Sequence, residues 1–439
     1  MSPYRLGFWT WLVYLLIDFG QVHRIIPGMS HLFLGALATV TLIVLVLTEL
    51  PRGLSAPGGS WLRPLVVWRM LFLFAIATGL VLAVTQGRAL MVLKTEFPRF
   101  LAAFLGALLF LRKVDDLRKV LSAMLVMDFL LSAWVIAHHG HGPGLYIDEN
   151  DVGLVLVMLL PFPFLRIFAS DSKLTARLLS IAIFGLSLCA IGITLSRGAM
   201  VGSIPALLFC WLKSRQKVLS LALGGLALVL AVLFAPPTFT KEFESISDTH
   251  ESTAEARRYY WDLSTQIWPH RPIFGVGAMC WGNALYSGLF TTPDRVAHMT
   301  PHSIYFQCWT ELGLFGMTCW FGFISAAFRE TRSLSRRKLN AGLAMVAGED
   351  PDPAQVARLH ATMDFVGPFS SCLAIGMVGY LVSGAFLSVL FYPGLALFAA
   401  IAQATAAVWR RELLTEAIRA RVDDPPVPRV AEMAQWVAP

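Results

Sequence analysis

Mostly apolar runs, many close to twenty residues long, recur along this chain, and they constrain its fold more than any motif does. About 20 apolar residues in a helix cross the hydrocarbon core of a bilayer. Runs of that kind lie near 6–20, 30–49, 65–85, 96–111, 119–137, 152–169, 178–194, 199–212, 218–235, 303–327, 366–389 and 393–408. The expected fold is all-α: a polytopic integral membrane helical bundle of about 12 transmembrane helices, with a large loop between helices 9 and 10. Soluble domains are excluded, because 56% of the residues are hydrophobic and only 14% charged, too little polar surface to cover them.

The net charge of +7 would point to nucleic acid in a soluble protein, but in a membrane protein Lys and Arg gather in cytoplasmic loops. With both termini cytoplasmic, the alternation of spans puts Arg112 to Lys119, Arg166 to Arg177, Lys213 to Lys217, Arg329 to Arg358 and Arg410 to Arg429 on the inner side. Moving the count by one helix would reverse that pattern. The chain then divides into 1–235 for transmembrane helices 1–9, 236–302 for an outer loop with short helices, and 303–328 for helix 10. A charged cytoplasmic connector (329–365), helices 11 and 12 (366–408) and a cytoplasmic, partly disordered tail (409–439) complete it. No cleavage site follows Arg5 and its apolar run, so this stretch reads as a retained span. The cysteines include no CxxC pair and all but Cys280 lie in apolar runs, so neither a zinc site nor a disulfide framework is indicated.

A loop of more than sixty residues in a tightly connected bundle has work beyond connection. Its middle has helical character from Ser252 to Ile267, with Trp261, Ile267 and Trp268 expected against the membrane interface. Pro269 and Pro272 end that helix, and Gly275 and Gly277 form a tight turn. Arg197, in TLSRGAM, falls at the outer junction of two spans, where it either snorkels to headgroups or faces inward toward an anion. Arg257 and Arg258 point about 100° apart on a helix, so one is solvated; Arg258 is expected on the inner face, and Arg271 is a further candidate. Arginine reads phosphate through two parallel bonds and stays charged, so arginines converging from different segments point to a diphosphate. The outer acids Asp248, Glu251, Glu255, Asp262 and Asp294 are scattered, so no metal is expected and no cofactor is called for.

His302 opens the tenth span as HSIYFQCWTELGLFG. Alone, a histidine there is a cap or an interface residue. Ser303, Gln307, Thr310 and Glu311, however, share one helix face, a polar stripe that must meet protein or water, and Gly313 and Gly316 are expected to allow close helix contact. A neutral imidazole at the outer end of that stripe could take a proton from a sugar hydroxyl. His138, His139 and His141 belong to a turn, and Asn150 and Asp151 to a helix cap.

Together these residues resemble the O-antigen ligase and polymerase superfamily of bacterial envelope glycosyltransferases. His302-Ser303, nine residues, Gly313, two residues and Gly316 match its His-[Asn/Ser/Gln]-x9-Gly-x-x-Gly pattern. Ser196-Arg197-Gly198 is similar to its outer-junction motif, and Arg258 to Trp261 followed by Pro272 to Gly277 to its loop motif. The resemblance implies an inner-membrane enzyme that transfers a glycan from undecaprenyl (polyprenyl) diphosphate to an acceptor sugar hydroxyl at the periplasmic face, metal-independent and inverting. His302 would be the general base, Arg197 and Arg258 the diphosphate ligands. An Arg-x3-Leu element of ligases is missing at Arg258, where Asp262 stands, and DENDVGLVLVMLLPF is similar to a helix start in polysaccharide polymerases. Both tilt the expectation toward an O-antigen or exopolysaccharide polymerase. The alternatives are an O-antigen ligase acting on lipid A-core and a lipid-linked sugar transporter without catalysis.

Overall fold

In the computed structural model, the described residues are 2–29, 33–54, 63–169, 173–214, 216–222, 224–225, 252–285, 287, 300–347 and 352–422, and helix is their only repeating structure. The principal elements are α1 (Pro3–Asp18), α2 (Leu34–Leu54), α3 (Pro64–Leu82), α4 (Gln86–Arg99), α5 (Val114–Ala137), α6 (Glu149–Leu159), α7 (Pro161–Ile167), α8 (Leu174–Ile193), α9 (Arg197–Lys213), α10 (Ser252–Ile267), α11 (Ile304–Ser333), α12 (Arg336–Ala347), α13 (Pro353–Gly384) and α14 (Pro393–Val422). Seven helices among the described residues are long and apolar enough to cross a membrane: α2, α3, α5, the α6–α7 pair, α8, α11 and α13. The chain is a multi-pass helical membrane protein.

The other expected spans are helical but short or polar: α1, α4 with its continuation to Phe110, α9 and α14. The span expected near 218–235 lies mostly outside the described residues, as do 236–251, 288–299 and the tail from 423. Much of the expected connector 329–365 is helix, since α11 runs on to Ser333 and α13 starts at Pro353. Asp352 caps α13 by accepting the N–H of Ala354 and Gln355, and Pro353 sits at the first position, where no N–H is needed. Charge density hid that start. Leu359, Met363 and Val366 are buried at helical spacing beneath the charged face.

Residues Val152 to Leu159 of α6 are buried throughout, so this short helix is the axis of the bundle. On α2, by contrast, Leu37, Val40, Val44 and Leu47 are each more than half exposed, at spacings of three and four. That stripe meets lipid, since water would penalise it by roughly 1.5–3 kcal/mol per side chain. Arg69 in α3 is not alone in the bilayer: it reaches Glu96 at 2.7 Å, and Glu96 is also 3.4 Å from Arg99, which lies 3.5 Å from Asp18. These alternating charges weld α1, α3 and α4, and a π-helical stretch, Phe100–Leu105, follows directly.

Candidate functional site

The site is built around a break in α11. Gly313 has φ 64° and ψ −166°, a conformation that an L side chain rarely adopts. Beyond it, the N–H groups of Leu314 and Phe315 donate to the carbonyls of Pro272 (2.9 Å) and Ile273 (3.0 Å), while Thr310 and Glu311 carbonyls accept from Val276 (3.0 Å) and Gly277 (2.9 Å). Four backbone bonds to the outer loop thus replace those that the helix gives up. A Cβ on Gly313 would lie 2.5 Å from Ile273 and 2.7 Å from the Gly275 nitrogen, and one on Gly275 would strike the Glu311 carbonyl. The glycine pair therefore admits a loop where close helix contact was expected; a Cβ on Gly316 would first meet Leu312 of its own helix. Helical periodicity gave the wrong neighbour because it presumes an unbroken helix.

The polar stripe of α11 serves the same joint. Ser303, Gln307, Thr310 and Glu311 are all buried. Glu311 Oε2 accepts the Met279 N–H (2.8 Å) and the Gln307 amide (3.4 Å), and its Oε1 accepts the Trp281 N–H (3.4 Å). Gln307 Oε1 accepts the N–H of Leu390 at 3.2 Å. Backbone donors, rather than another charge, satisfy the buried carboxyl.

Helix α10 lies across the mouth of α11. Trp261 stacks on Phe306 at 5.2 Å and donates its indole N–H to the Pro301 carbonyl at 3.0 Å. Ile267 joins Leu263, Val276, Cys280 and Trp281 in a small separate core. Trp261 and Ile267 thus fasten the loop to the bundle, where a membrane-interface position was expected. Trp268 packs on Trp309 at 5.2 Å. Cys280, expected alone in a loop, is buried in this core, and burial pushes its thiol up. Of the adjacent arginines, Arg258 is exposed and Arg257 half-buried, the reverse of the expected assignment. Arg271 donates to the Leu82 carbonyl at 3.2 Å, at the C-terminal end of α3.

His302 occupies the left-handed region with φ 47°, which costs a side-chain-bearing residue about 1–2 kcal/mol. Its N–H donates to Ser388 Oγ at 2.9 Å, a bond whose net worth of about 0.5–1.5 kcal/mol roughly offsets that strain. The half-buried ring lies 6.1 Å from that of Tyr260. Burial lowers the imidazole pKa below its usual 6.5 and the Arg257 charge lowers it further, against a smaller opposing pull from Asp148. The ring is therefore neutral near pH 7 and able to accept a proton.

Asp148 leads to the Ser-Arg-Gly junction. It caps α6, its Oδ1 accepting the Asn150 N–H (2.9 Å) and side-chain amide (3.0 Å), so Asp148 fills the role expected of Asn150 and Asp151. Asn150 Oδ1 accepts from Ser196 Oγ at 2.8 Å, and Ser196 caps α9 by accepting the Ala199 N–H at 3.2 Å. Arg197 follows as the first residue of α9, half-buried, after Leu195 at φ 50°. His138 stacks on Trp134 at 3.8 Å and His141 is 3.3 Å from Glu149, so the histidine cluster is a turn. Among the described residues, no three His, Cys, Asp or Glu side chains gather as a metal site requires.

The connector between α13 and α14 carries contacts that no motif signalled. Besides Ser388 and Leu390, Tyr392 donates its hydroxyl to Asp151 at 2.5 Å, and the Phe391 carbonyl accepts from Arg99 at 3.4 Å. One short segment thus holds His302, the α11 stripe and the start of α6. Its only sequence signal is hydroxyl groups in a short outer turn, and that is common. A comparison with curated proteins finds no match. Residues 182–321 of this multi-pass membrane chain, which span the Ser-Arg-Gly junction, the loop and the histidine-to-glycine stretch, match the family model described as O-antigen ligase.

Proposed function

We propose that this protein transfers a glycan from a polyprenyl diphosphate, in bacteria undecaprenyl diphosphate, to an acceptor sugar hydroxyl at the periplasmic face of the inner membrane, with both termini cytoplasmic. The observation that carries this reading is the interlocked outer end, where a neutral half-buried His302 feels the Arg257 charge on one side and Asp148, bonded through Asn150 to the Ser196-Arg197 junction, on the other. In the proposed step the imidazole takes the acceptor hydroxyl proton, the acceptor oxygen bonds to the anomeric carbon from the face opposite the carrier, and the bond to the diphosphate breaks. The carrier leaves with the electron pair, and Arg197 with Arg257 offsets the charge that develops there. Arg258, at the surface, and Arg271, bonded to the end of α3, serve less directly. Glu311, Gln307 and Ser303 support the histidine, and the guanidinium groups supply the charge that a metal would otherwise carry.

The acceptor favoured is a growing O-antigen or exopolysaccharide chain, because the Asp148–Asp151 run that resembles polymerases is bonded into the site. The description of the matching family model favours a second reading, ligation of finished polymer to lipid A-core. Deleting the gene and resolving envelope glycans on a gel separates them: loss of long chains with single repeats still attached fits a polymerase, and accumulation of lipid-linked polymer fits a ligase. Wild-type glycans in the deletion strain would sink both.

A further inference from the structure

At the end of the bundle opposite His302, two adjoining cavities flank Pro368 of α13. One, of about 180 Å³, is lined by Arg118 and Arg166, and the other, of about 200 Å³, by Lys213 and Arg336. Leu165, Ala169, Asp364 and Pro368 line both. Each is smaller than the roughly 300–1,000 Å³ of a pocket that encloses a whole small ligand, so an occupant keeps most of its bulk outside. Outside lies apolar surface: Leu174 and Leu212, at the same ends of α8 and α9, are 68% and 49% exposed. Four cations face the cavities against the single carboxylate of Asp364, with Arg118 also paired to Asp115 at 3.1 Å in an exposed contact of little strength. A molecule with an anionic head that fits between helices and apolar chains that lie along them suits this arrangement.

We propose that the paired cavities bind an anionic phospholipid of the leaflet opposite His302, its phosphate taken by Arg118, Arg166, Lys213 and Arg336 and its acyl chains lying against α8 and α9. The site stands apart from the transferase centre and does not depend on that reading. The full-length protein is exchanged into micelles holding equal amounts of phosphatidylglycerol and phosphatidylcholine, and retained lipid is counted by native mass spectrometry. Phosphatidylglycerol is retained preferentially. The double variant Lys213→Gln/Arg336→Gln lowers its affinity by about 30-fold, at about fivefold per cation. Ala169→Leu, which leaves every charge in place and narrows both cavities, also releases it. Equal retention of the two lipids, unchanged affinity in both variants, or preferential capture of added polyprenyl diphosphate would overturn the proposal.

Discussion

The two ends of the bundle are made in different ways. All six described non-glycine residues with positive φ (Gln21, Phe33, His139, Leu195, Met279 and His302) lie at the end that carries the histidine, three of them inside or beside the motifs. The opposite end holds ion pairs between helices: Glu330 bridges Arg63 at 3.6 Å and Arg410 at 3.7 Å, and Arg358 meets Glu416 at 3.1 Å. Strained backbone costs of order 1–3 kcal/mol per residue and persists where its surroundings fix it, which is the mark of a site prepared for a ligand. Paired charge at helix ends needs no such strain and holds the bundle together. On the proposed function, the strained end is the one that does the chemistry.

That contrast can be broken by substitutions whose effects should separate by end. The largest loss of stability is expected at the end opposite His302, where Glu330→Ala leaves two arginines facing each other in a largely buried place. About 3–5 kcal/mol is at stake, read as a drop in thermal unfolding temperature, while the pH dependence of transfer in the surviving protein stays as in wild type. A shifted pH profile would show that the two ends are coupled. Next, Gly313→Ala forces a side chain into the left-handed region and against Ile273, costing at least about 1–2 kcal/mol. Limited proteolysis should then cut the outer loop faster. A loop protected as in wild type would mean that the break in α11 is not its socket.

Smaller effects sharpen the assignment within the outer end. Burial and Arg257 hold the His302 pKa below 6.5, so transfer should rise with pH through a midpoint below that value as the imidazole loses its proton. Arg257→Gln removes a lowering charge and should move the midpoint upward, whereas Arg258→Gln, at an exposed position, should leave it in place. Equal shifts would erase the distinction between the two. Smallest is Ser388→Ala, which removes one bond worth about 1 kcal/mol and should lower kcat about fivefold with KM unchanged; a change in KM alone would make Ser388 a binding residue.

The seven spans found among the described residues were legible because bilayer thickness imposes a length that composition reports directly. Motif identity was legible too, but motif contact was not. Nothing local in the spacing from His302 to Gly316 tells that Gly313 opens the helix to Pro272–Gly277, since the partner lies a loop away. The choice between Arg257 and Arg258 turned on one residue of helical register, which Trp261 fixes by stacking on Phe306. Ser388 and Tyr392 went unseen because each acts through a single bond made only when distant segments meet, and Asp148 because the cap was placed on its neighbours Asn150 and Asp151.

The assignment of the outer end to chemistry rests on His302, and transfer by the purified protein decides it. With a lipid-linked glycan donor and its acceptor, His302→Ala should lower the transfer rate by about 10²- to 10⁴-fold, the usual contribution of a general base, while donor binding and unfolding temperature stay close to wild type. Transfer at the wild-type rate in that variant would contradict the role given to the histidine and, with it, the reading of the outer end as an active site.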